Sequence, residues 1–441
     1  MSPFAVKAIQ LLLSLSILIV LHELGHFIPA KLFKTRVEKF FLFFDVKFAL
    51  FKKKIGDTVY GIGWLPLGGY VKISGMIDES MDKEQMAQPP KPWEFRSKPA
   101  WQRLIIMLGG VTVNIVVGFV IYMSILYFYG REIVTVNDLP RGFSVAQEFE
   151  EFGFRDGDQI LQVNGKDLAN VIDINKYLFL RDVETVTVQH QDGATETLTL
   201  PEDIGTRMFQ QDILRPFKPM RNAVVDTVVA DYPAAVAGFQ KGDSIISVNG
   251  NNVSHWDEFT QIISSNSEQE NRVVMSRSGK LDTLRVTPNE EGIIGVYNFG
   301  SELARSRTEL SYTLGESIVG GFGYGYDILR DYVTQFKYVF TKKGATQVGG
   351  FGAIGSLFPD TWDWLSFWQT TALISIILAF MNILPIPALD GGHVMFLLYE
   401  MVTGRKPNDK FMEYAQMIGF FLLIALVLFA NGNDIYRWLF G

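Results

Sequence analysis

The sequence predicts a multi-pass α-helical membrane protein with two further parts, a strand-rich segment and a duplicated small α/β domain. Hydrophobic residues make up 48% of the 441 residues, and the mean hydropathy of +0.15 is high for a purely soluble chain. Four runs are long and apolar enough to cross a bilayer. A stretch of the central region recurs roughly 85 residues further on, which indicates two copies of one domain.

The four apolar runs are the predicted membrane spans. Trp and Tyr side chains lie near their ends, where amphipathic rings favour the headgroup level of a bilayer. A cleaved signal peptide is the alternative for the first run, because Lys7 precedes it, but no convincing small-x-small cleavage site comes before His22. The runs are Phe4–Phe27, Leu104–Tyr129, Phe367–Leu384 and Met412–Ala430.

Charge along the chain sets the expected orientation of these spans. The loop between the first two, residues 28–103, has a net charge of about +6, whereas residues 105–365 have about −12. Because basic residues favour the cytoplasmic side, we expect this loop to be cytoplasmic. The central region and both termini would then lie outside the cytoplasm. The overall charge of −7 argues against a nucleic acid as partner.

The sequence His22-Glu23-Leu24-Gly25-His26 at the end of the first run predicts a metal site within the membrane. Residues four apart lie on one face of a helix, so both imidazoles can bind one ion while Glu23 projects beside it. This short pattern also occurs by chance. Ionisable groups inside a span are costly, however, and by default they mark a functional site. The chain has no cysteine, so zinc would need histidine and carboxylate ligands.

Between the first two spans, Val37–Met76 is too apolar for a solvated loop, and its glycines separate short strand-like runs. Strand backbone at membrane depth survives only where it is buried in protein or lines a wet cavity. We therefore predict a re-entrant sheet beside the metal, whose open edge could take an unwound substrate segment by strand addition. An ordinary cytoplasmic hairpin is the alternative.

The repeat unit is an apolar strand between a Gly-Asp turn and an Asn-Gly turn, at Gly153–Gly165 and again at Gly238–Gly250. Two copies at one spacing resemble tandem PDZ modules, which bind extended peptides or carboxyl termini at a sheet edge. The resemblance implies substrate binding or size filtering, and simple spacer domains are the alternative. We expect His190 and His255, which fall in this region, to be surface residues.

After the repeat, apolar residues from Leu310 to Phe336 recur at mostly helical spacing with charged residues between them, which predicts an interfacial amphipathic helix. Packing against the second PDZ-like copy would give the same pattern. The Gly-rich stretch Val348–Gly355 lacks the Gly-Lys-Ser/Thr ending of a phosphate-binding loop. We expect it to be flexible chain that leads into the third span.

Two histidines leave zinc one protein ligand short, and Asp390 is the predicted third. It ends the segment Asn382-Ile-Leu-Pro-Ile-Pro-Ala-Leu-Asp, in which two prolines break helical bonding, and the following glycines permit close approach. A helix terminus at the membrane surface is the alternative for this acid. His393 could be confused with a ligand, but His22, His26 and Asp390 already leave one position open for water.

Taken together, His-Glu-x-x-His in the first span and Asn-x-x-Pro-x-Pro-x-Leu-Asp-Gly-Gly in a later one make the chain resemble the site-2 protease family of intramembrane zinc metalloproteases. Two PDZ-like copies between the second and third spans match the bacterial branch that regulates sigma-E. The resemblance covers nearly the whole chain. Two sequence features depart from it, since the family often has Gly-Pro where this chain has Gly109-Gly110 and Gly350-Phe351.

The resemblance implies a zinc endopeptidase that cuts within the transmembrane segment of another protein. Its substrates would be a single-span anti-sigma factor already trimmed by an outer protease and remnant signal peptides, and its PDZ pair would exclude bulky outer domains. It implies a bacterial inner membrane, with the active site toward the cytoplasm. The re-entrant sheet and motif asparagines would hold substrate, which points to Gly68, Gly69, Tyr70, Val71, Lys72, Ile73, Asn114 and Asn382.

The expected roles are zinc ligands for His22, His26 and Asp390, and general base for Glu23, which takes the proton of the attacking water and returns it to the leaving amine.

Two other classes of protein stay open. A non-catalytic scaffold would tether envelope proteins through the PDZ pair and hold no metal. A metal transporter would move zinc into vesicles and would not need the glutamate.

Eight segments are expected along the chain. They are the first span with His-Glu-x-x-His (1–36), the cytoplasmic-side re-entrant sheet and loop (37–100), the second span (101–130), PDZ domain 1 (131–220), PDZ domain 2 (221–305), the amphipathic helix and Gly-rich linker (306–360), the third span with Leu-Asp-Gly-Gly (361–395), and a cytoplasmic loop with the fourth span (396–441).

Overall fold

A computed structural model of the chain describes residues 1–66, 68–76, 88–298 and 307–440, apart from the side chain of residue 409. The chain forms two compact units. We call Met1–Gly130 with Ser311–Gly441 the membrane unit, and Arg131–Leu310 the inserted unit. Four of the expected segments, 37–100, 221–305, 306–360 and 396–441, include residues outside the described ranges.

The membrane unit begins with a long helix, a four-stranded sheet and a second long helix. The hydroxyl of Ser2 accepts a hydrogen bond from the Ala5 N–H at 3.3 Å and so caps the first helix, and the sheet has the strand order β2-β3-β1-β4. The predicted strands between the first two spans are therefore present. The elements are α1 (Pro3–Leu32), β1 (Val37–Leu42), β2 (Phe44–Ile55), β3 (Thr58–Leu65), β4 (Tyr70–Ile73) and α2 (Ala100–Tyr129).

The inserted unit contains two similar halves, each with a four-stranded sheet and its own hydrophobic core. The orders are β10-β9-β7-β8 and β14-β13-β15-β16. The elements are β5 (Arg131–Ile133), β6 (Phe143–Val145), α3 (Gln147–Glu150), β7 (Gln159–Val163), β8 (Lys166–Asp167), α4 (Ile174–Leu180), β9 (Thr185–Gln189), β10 (Thr195–Thr199), α5 (Ile204–Gln211), β11 (Phe217–Pro219), β12 (Thr227–Val228), α6 (Pro233–Ala237), β13 (Ser244–Val248), β14 (Asn251–Asn252), α7 (Trp256–Ser265), β15 (Asn271–Arg277), β16 (Lys280–Val286), β17 (Val296–Tyr297) and β18 (Thr308–Leu310).

The repeated sequence motif occupies equivalent places in the two halves. Its Asn-Gly pair forms the tight turn of a hairpin, between β7 and β8 in one half and between β13 and β14 in the other. Both asparagines have positive φ, 52° at Asn164 and 53° at Asn249, as such two-residue turns require. A duplicated domain is thus present in the fold.

The two histidines of the inserted unit are buried, so the expectation that they lie on the surface is wrong. Exposed fractions are 5% for His190 and 7% for His255. Both are amphipathic rings whose nitrogens contact carboxylates, and this pairing makes burial tolerable. Periodicity could not reveal the burial of His190, because its partner Asp158 is 32 positions away, whereas His255 is bonded to its neighbour Ser254 at 2.9 Å.

The second part of the membrane unit is entirely helical outside its loops and a short 3₁₀ turn, as far as the structure describes it. Its helices are α8 (Leu314–Phe336), α9 (Lys342–Gln347), α10 (Phe351–Ser356), α11 (Trp364–Ile383), α12 (Asp390–Thr403) and α13 (Asp409–Phe440). Within the described residues, α1, α2, α11 and α13 are the four helices long and apolar enough to span a membrane. The four apolar helices that the sequence predicts are therefore present, in the predicted order along the chain.

Helix α8 is the predicted amphipathic helix, and it packs on α2 and α11. Its glycines permit this contact. A Cβ at Gly321 would overlap the backbone of Met123, and one at Gly325 would overlap the ring of Phe119. The apolar residues Leu314, Ile318 and Phe322 are instead 62%, 49% and 54% exposed, so packing within the unit does not account for the amphipathic pattern of α8.

The Gly-rich stretch is not the flexible chain that we expected, because residues 351–356 form α10. The Asp434 carboxylate of α13 accepts from the N–H groups of Gly350 at 2.9 Å and Ala353 at 3.1 Å. The Asn431 side chain accepts from the Phe351 N–H at 3.2 Å. These acceptors satisfy the free donors at a helix N-terminus, where negative charge is favoured.

The segment expected as a single third span, 361–395, is two helices. Helix α11 ends at Ile383, and Asp390 is the first residue of α12. Pro385 and Pro387 lie between them, where they cannot continue the hydrogen bonding of α11. The break allows the chain to turn before Asp390, so the carboxylate is presented at a helix N-terminus and not on the side of a span.

Candidate metal centre

Helix α1 supplies three of the polar side chains at the centre. His22 and His26 lie one turn apart with ring centroids separated by 4.8 Å, and their Nε2 atoms are 3.2 Å apart. Glu23 lines the same cavity. The structure therefore brings the residues of the predicted signature together on one side of the helix.

Asp390 reaches this pair from α12. Its Oδ2 lies 3.3 Å from Nε2 of His22 and 3.3 Å from Nε2 of His26. Neither approach has hydrogen-bond geometry, so this buried oxygen has no hydrogen-bond partner. Among the described residues, these three are the one group of histidines and acids whose ligand atoms cluster closely enough for a metal ion.

The spacing of the three atoms fits zinc. Ligand atoms bonded to tetrahedral zinc at ~2.0–2.1 Å are roughly 3.3–3.4 Å from one another. The separations of 3.2, 3.3 and 3.3 Å agree with that geometry, and a fourth position is left for water or substrate. Two imidazole nitrogens and one carboxylate oxygen are also a usual donor set for a catalytic zinc ion.

Helix α2 holds the second nitrogen of each imidazole. His26 Nδ1 donates a hydrogen bond to the carbonyl oxygen of Ile106 at 2.8 Å, and His22 Nδ1 lies 3.1 Å from Nδ2 of Asn114. Such contacts orient the rings of metal-binding histidines. They leave the two Nε2 atoms to face Asp390.

Glycines make room for the rings between the helices. A Cβ on Gly110 would collide with Nε2 of His26 and the ring of His22, and Gly25 packs directly against the backbone of Gly109. Only residues without a side chain allow α1 and α2 to approach so closely. The pair Gly109-Gly110 therefore contributes directly to the geometry of this centre.

Helix α13 supports the loop before Asp390 through Gln416, which sequence reasoning missed. Its Oε1 accepts from the Ala388 N–H at 2.6 Å, and its Nε2 lies 3.0 Å from Nε2 of His393. Ala388 has φ of 75°, a left-handed conformation that is unfavourable for alanine. The only sequence signal was a polar residue inside the fourth apolar run.

A cavity of about 500 Å³ opens beside the three ligand atoms. Strand β4 forms one wall, with Gly69, Tyr70, Val71, Lys72 and Ile73 among the lining residues. A Cβ on Gly69 would lie 3.5 Å from Cγ of Glu23, so this strand begins next to the glutamate.

Three of the predicted substrate-binding residues do not line the cavity. They are Gly68, which precedes the lining residue Gly69, Asn382, in the last turn of α11, and Asn114, which is fully buried. His393 lines the cavity and contacts Gln416, but it is not part of the group of three.

A polar network in the cavity wall was also missing from the sequence prediction. The Tyr70 hydroxyl donates to Asp45 Oδ1 at 2.6 Å, and Lys39 Nζ lies 3.3 Å from Asp45 Oδ2 and 3.1 Å from the Tyr70 oxygen. The bonds connect β1, β2 and β4. They fix the edge strand to the rest of the sheet beside Glu23.

A His-Glu-x-x-His helix that is apolar enough to span a bilayer defines a class of protein, the membrane-bound zinc metalloproteases. The particular family follows from the whole sequence. The profile of Peptidase family M50 matches residues 10–426, and the chain therefore belongs to this family, the site-2 proteases.

Bacterial proteins resemble the chain over nearly its full length. The regulator of sigma E protease of Haemophilus influenzae is 28% identical, over 97% of this chain and 98% of the relative. The regulator of sigma-E protease RseP of Salmonella typhimurium is 25% identical, over 97% of each. A Vibrio cholerae protein whose name describes it as a zinc metalloprotease is 27% identical, over 97% and 98%.

These matches confirm three predictions. The chain is a site-2 protease, it is a zinc metalloprotease, and zinc is its cofactor. It is also a membrane protein, with four helices apolar enough to span a bilayer. The scaffold and transporter alternatives are set aside.

Proposed function

We propose that this chain hydrolyses a peptide bond within the transmembrane segment of a single-span membrane protein. The observation that carries the proposal is the convergence of His22, His26 and Asp390 between apolar helices, with ligand atoms 3.2–3.3 Å apart and an unpaired carboxylate oxygen. We assign these three residues as zinc ligands. A buried group of this kind has no evident structural use without a cation.

Glu23 is the general base of the proposal. When bound, zinc polarises a scissile carbonyl and lowers the pKa of water toward ~7. Glu23 lines the cavity beside the ligand atoms and directly follows His22 on α1. It takes the proton of the attacking water and later gives it to the leaving amine.

Strand β4 is the proposed docking site for the substrate. A helical substrate must unwind before its carbonyl carbons are accessible, and its backbone then needs hydrogen-bond partners. β4 ends the order β2-β3-β1-β4, and no strand in the described part of the chain pairs with its outer side. Gly69–Ile73 would bond the extended backbone. For Gly68 and Asn382, which do not line the cavity, only the family resemblance supports a contact with substrate.

We propose that the sheet lies at membrane depth, because several of its apolar side chains are exposed and would contact lipid there. Phe48, Leu50 and Phe51 of β2 are 57%, 67% and 57% exposed. Because the chain has no cysteine, a dye on a single Phe48→Cys variant in vesicles tests this depth. Quenching by lipid-borne nitroxides is expected. Quenching only by a water-soluble agent would place the sheet outside the bilayer.

The two halves of the inserted unit are proposed to be PDZ modules outside the cytoplasm that exclude substrates with bulky outer domains. The similarity to sigma-E regulator proteases supports a trimmed anti-sigma factor as substrate, along with remnant signal peptides, in a bacterial inner membrane. The basic loop at residues 28–103 supports a cytoplasmic position for the sheet.

The test is cleavage of a single-span substrate by the purified protein and its Glu23→Gln variant. The amide cannot accept the water proton, so turnover is expected to fall by about 10²–10⁴-fold while zinc content stays at the wild-type level. Glu151→Gln, an exposed substitution of the same type in the inserted unit, is the control and should cleave normally. Full turnover by Glu23→Gln would remove the glutamate as base.

A further inference from the structure

Asn114 is a buried polar residue that the cavity does not explain. Its side chain is fully buried in α2, and it is not among the residues that line the cavity. Its Oδ1 has no hydrogen-bond partner, while its Nδ2 lies 3.1 Å from Nδ1 of His22. A buried amide with one unpaired atom beside a zinc ligand needs a chemical reason.

The chemistry of His22 supplies that reason. Its Nε2 converges with the other two ligand atoms, so its lone pair is required there. A neutral imidazole then carries its proton on Nδ1, which becomes a donor and needs an acceptor. Nδ2 of an amide is itself a donor, whereas Oδ1 is an acceptor. A half-turn of the amide exchanges the two without a change in shape and gives Nδ1 its partner.

The other histidine shows the same arrangement with a backbone acceptor. His26 Nδ1 donates to the carbonyl oxygen of Ile106 at 2.8 Å, two helical turns before Asn114 on α2. The Ser375 hydroxyl of α11 donates to the backbone carbonyl of Asn114 at 2.7 Å and ties this turn of α2 to α11. Both imidazoles are thus held from α2, one by a carbonyl of the main chain and the other by a side-chain amide.

We propose that Asn114 is a positioning residue for His22 and not a substrate contact. Its amide oxygen accepts the Nδ1–H of His22, fixes the tautomer and the ring orientation, and thereby aims Nε2 at the metal position. This inference rests on the proposed function, because it takes His22 as a zinc ligand. It replaces the role in substrate binding that the family resemblance implied for this residue.

Zinc affinity of the purified full chain, measured by competition with a chelator, tests the proposal. Asn114→Leu has a similar volume and no acceptor, and we expect its zinc affinity to fall by about 10–100-fold. Asn114→Asp keeps an acceptor and should retain zinc much better than the leucine variant. Ser375→Ala loses only the bond to the Asn114 backbone and should bind zinc as the wild type does. At saturating zinc, the KM of each variant should be unchanged.

Each contrary result has a distinct meaning. Asn114→Leu with wild-type zinc affinity would overturn the proposal, and so would a raised KM at saturating zinc with no loss of affinity. Equal losses in the leucine and aspartate variants would show that the acceptor is not what matters. A wild-type chain that binds no zinc would instead overturn the proposed function itself.

Discussion

Each unit of the molecule buries histidine beside carboxylate, and the two arrangements differ in how the nitrogens are paired. In the inserted unit, His190 Nδ1 bonds Asp158 Oδ1 at 2.6 Å and its Nε2 bonds Glu196 Oε2 at 3.1 Å. Asp158 Oδ2 in turn accepts from the Arg155 N–H at 2.8 Å. Every polar atom of the ring has a hydrogen-bond partner, so the cluster is complete without a ligand.

In the membrane unit, the equivalent atoms converge on one another. The Nε2 atoms of His22 and His26 point at one another and at an Asp390 oxygen that has no hydrogen-bond partner. The comparison teaches that burial of histidine near an acid is not by itself a functional signal. The signal is a set of acceptor atoms that face a common point and would repel one another without a cation.

Removal of the inserted unit gives the largest expected change and separates the roles of the two units. Deletion of residues 134–296 leaves β5 and β18, which pair between Ile133 and Thr308. We expect the shortened chain to bind zinc and to cut substrates with bulky outer domains that the full chain rejects. Cleavage of trimmed and untrimmed substrate side by side is the measurement. Unchanged discrimination would contradict the filtering role.

His190→Gln should have a smaller effect, confined to stability. The variant loses a hydrogen bond to buried Asp158, and we expect the free energy of opening of β7 and β9 to fall by about 1–3 kcal/mol. Hydrogen exchange in the full chain measures this quantity for the peptides that contain the two strands. Zinc content and turnover should not change. A loss of zinc would mean that the two histidine clusters are not independent.

The pH dependence of the free energy of opening of β7 and β9 tests the comparison further. The hydrogen bond to Asp158 raises the pKa of His190 above its ordinary value of 6.5, although burial opposes the shift, and Glu196 adds to the rise. The fold therefore favours the protonated ring. Its contribution is fully present below pH 6.5 and is lost as the pH rises through the raised folded-state pKa. The difference between wild type and His190→Gln should shrink at high pH, where the neutral ring keeps only an uncharged donor for Asp158, and a difference that grows with pH would contradict this assignment.

Much of the fold could be predicted because burial of polar or charged groups in a membrane costs much free energy, which restricts the sequences that can span it. Long apolar runs predict membrane spans. Burial of an ionisable group inside a span costs free energy unless the group has a partner, so His26 predicted an acid near the third span as a further ligand. The break after Ile383 followed from Pro385 and Pro387 in general terms, yet the start of a new helix at Asp390 depends on how the chain turns.

The remaining features depend on contacts between distant residues. Gln416 supports Ala388 across 28 positions, and Asp434 caps a helix that begins 83 residues earlier. No local pattern encodes such pairs, so the Gly-rich stretch was expected to be flexible. His190 was expected on the surface for the same reason, because its burial is acceptable only next to Asp158.

Zinc stoichiometry of the purified chain, in parallel with its Asp390→Ala variant, is the most direct test of the proposed centre. The wild type should hold about one zinc ion per chain, and the variant should lose it, since two histidines alone leave the ion underligated. Asp360→Ala, which removes an exposed acid paired with Lys7, is the control and should keep its zinc. Wild-type zinc content in Asp390→Ala would contradict the assignment of this carboxylate and the meeting of α1 with α12.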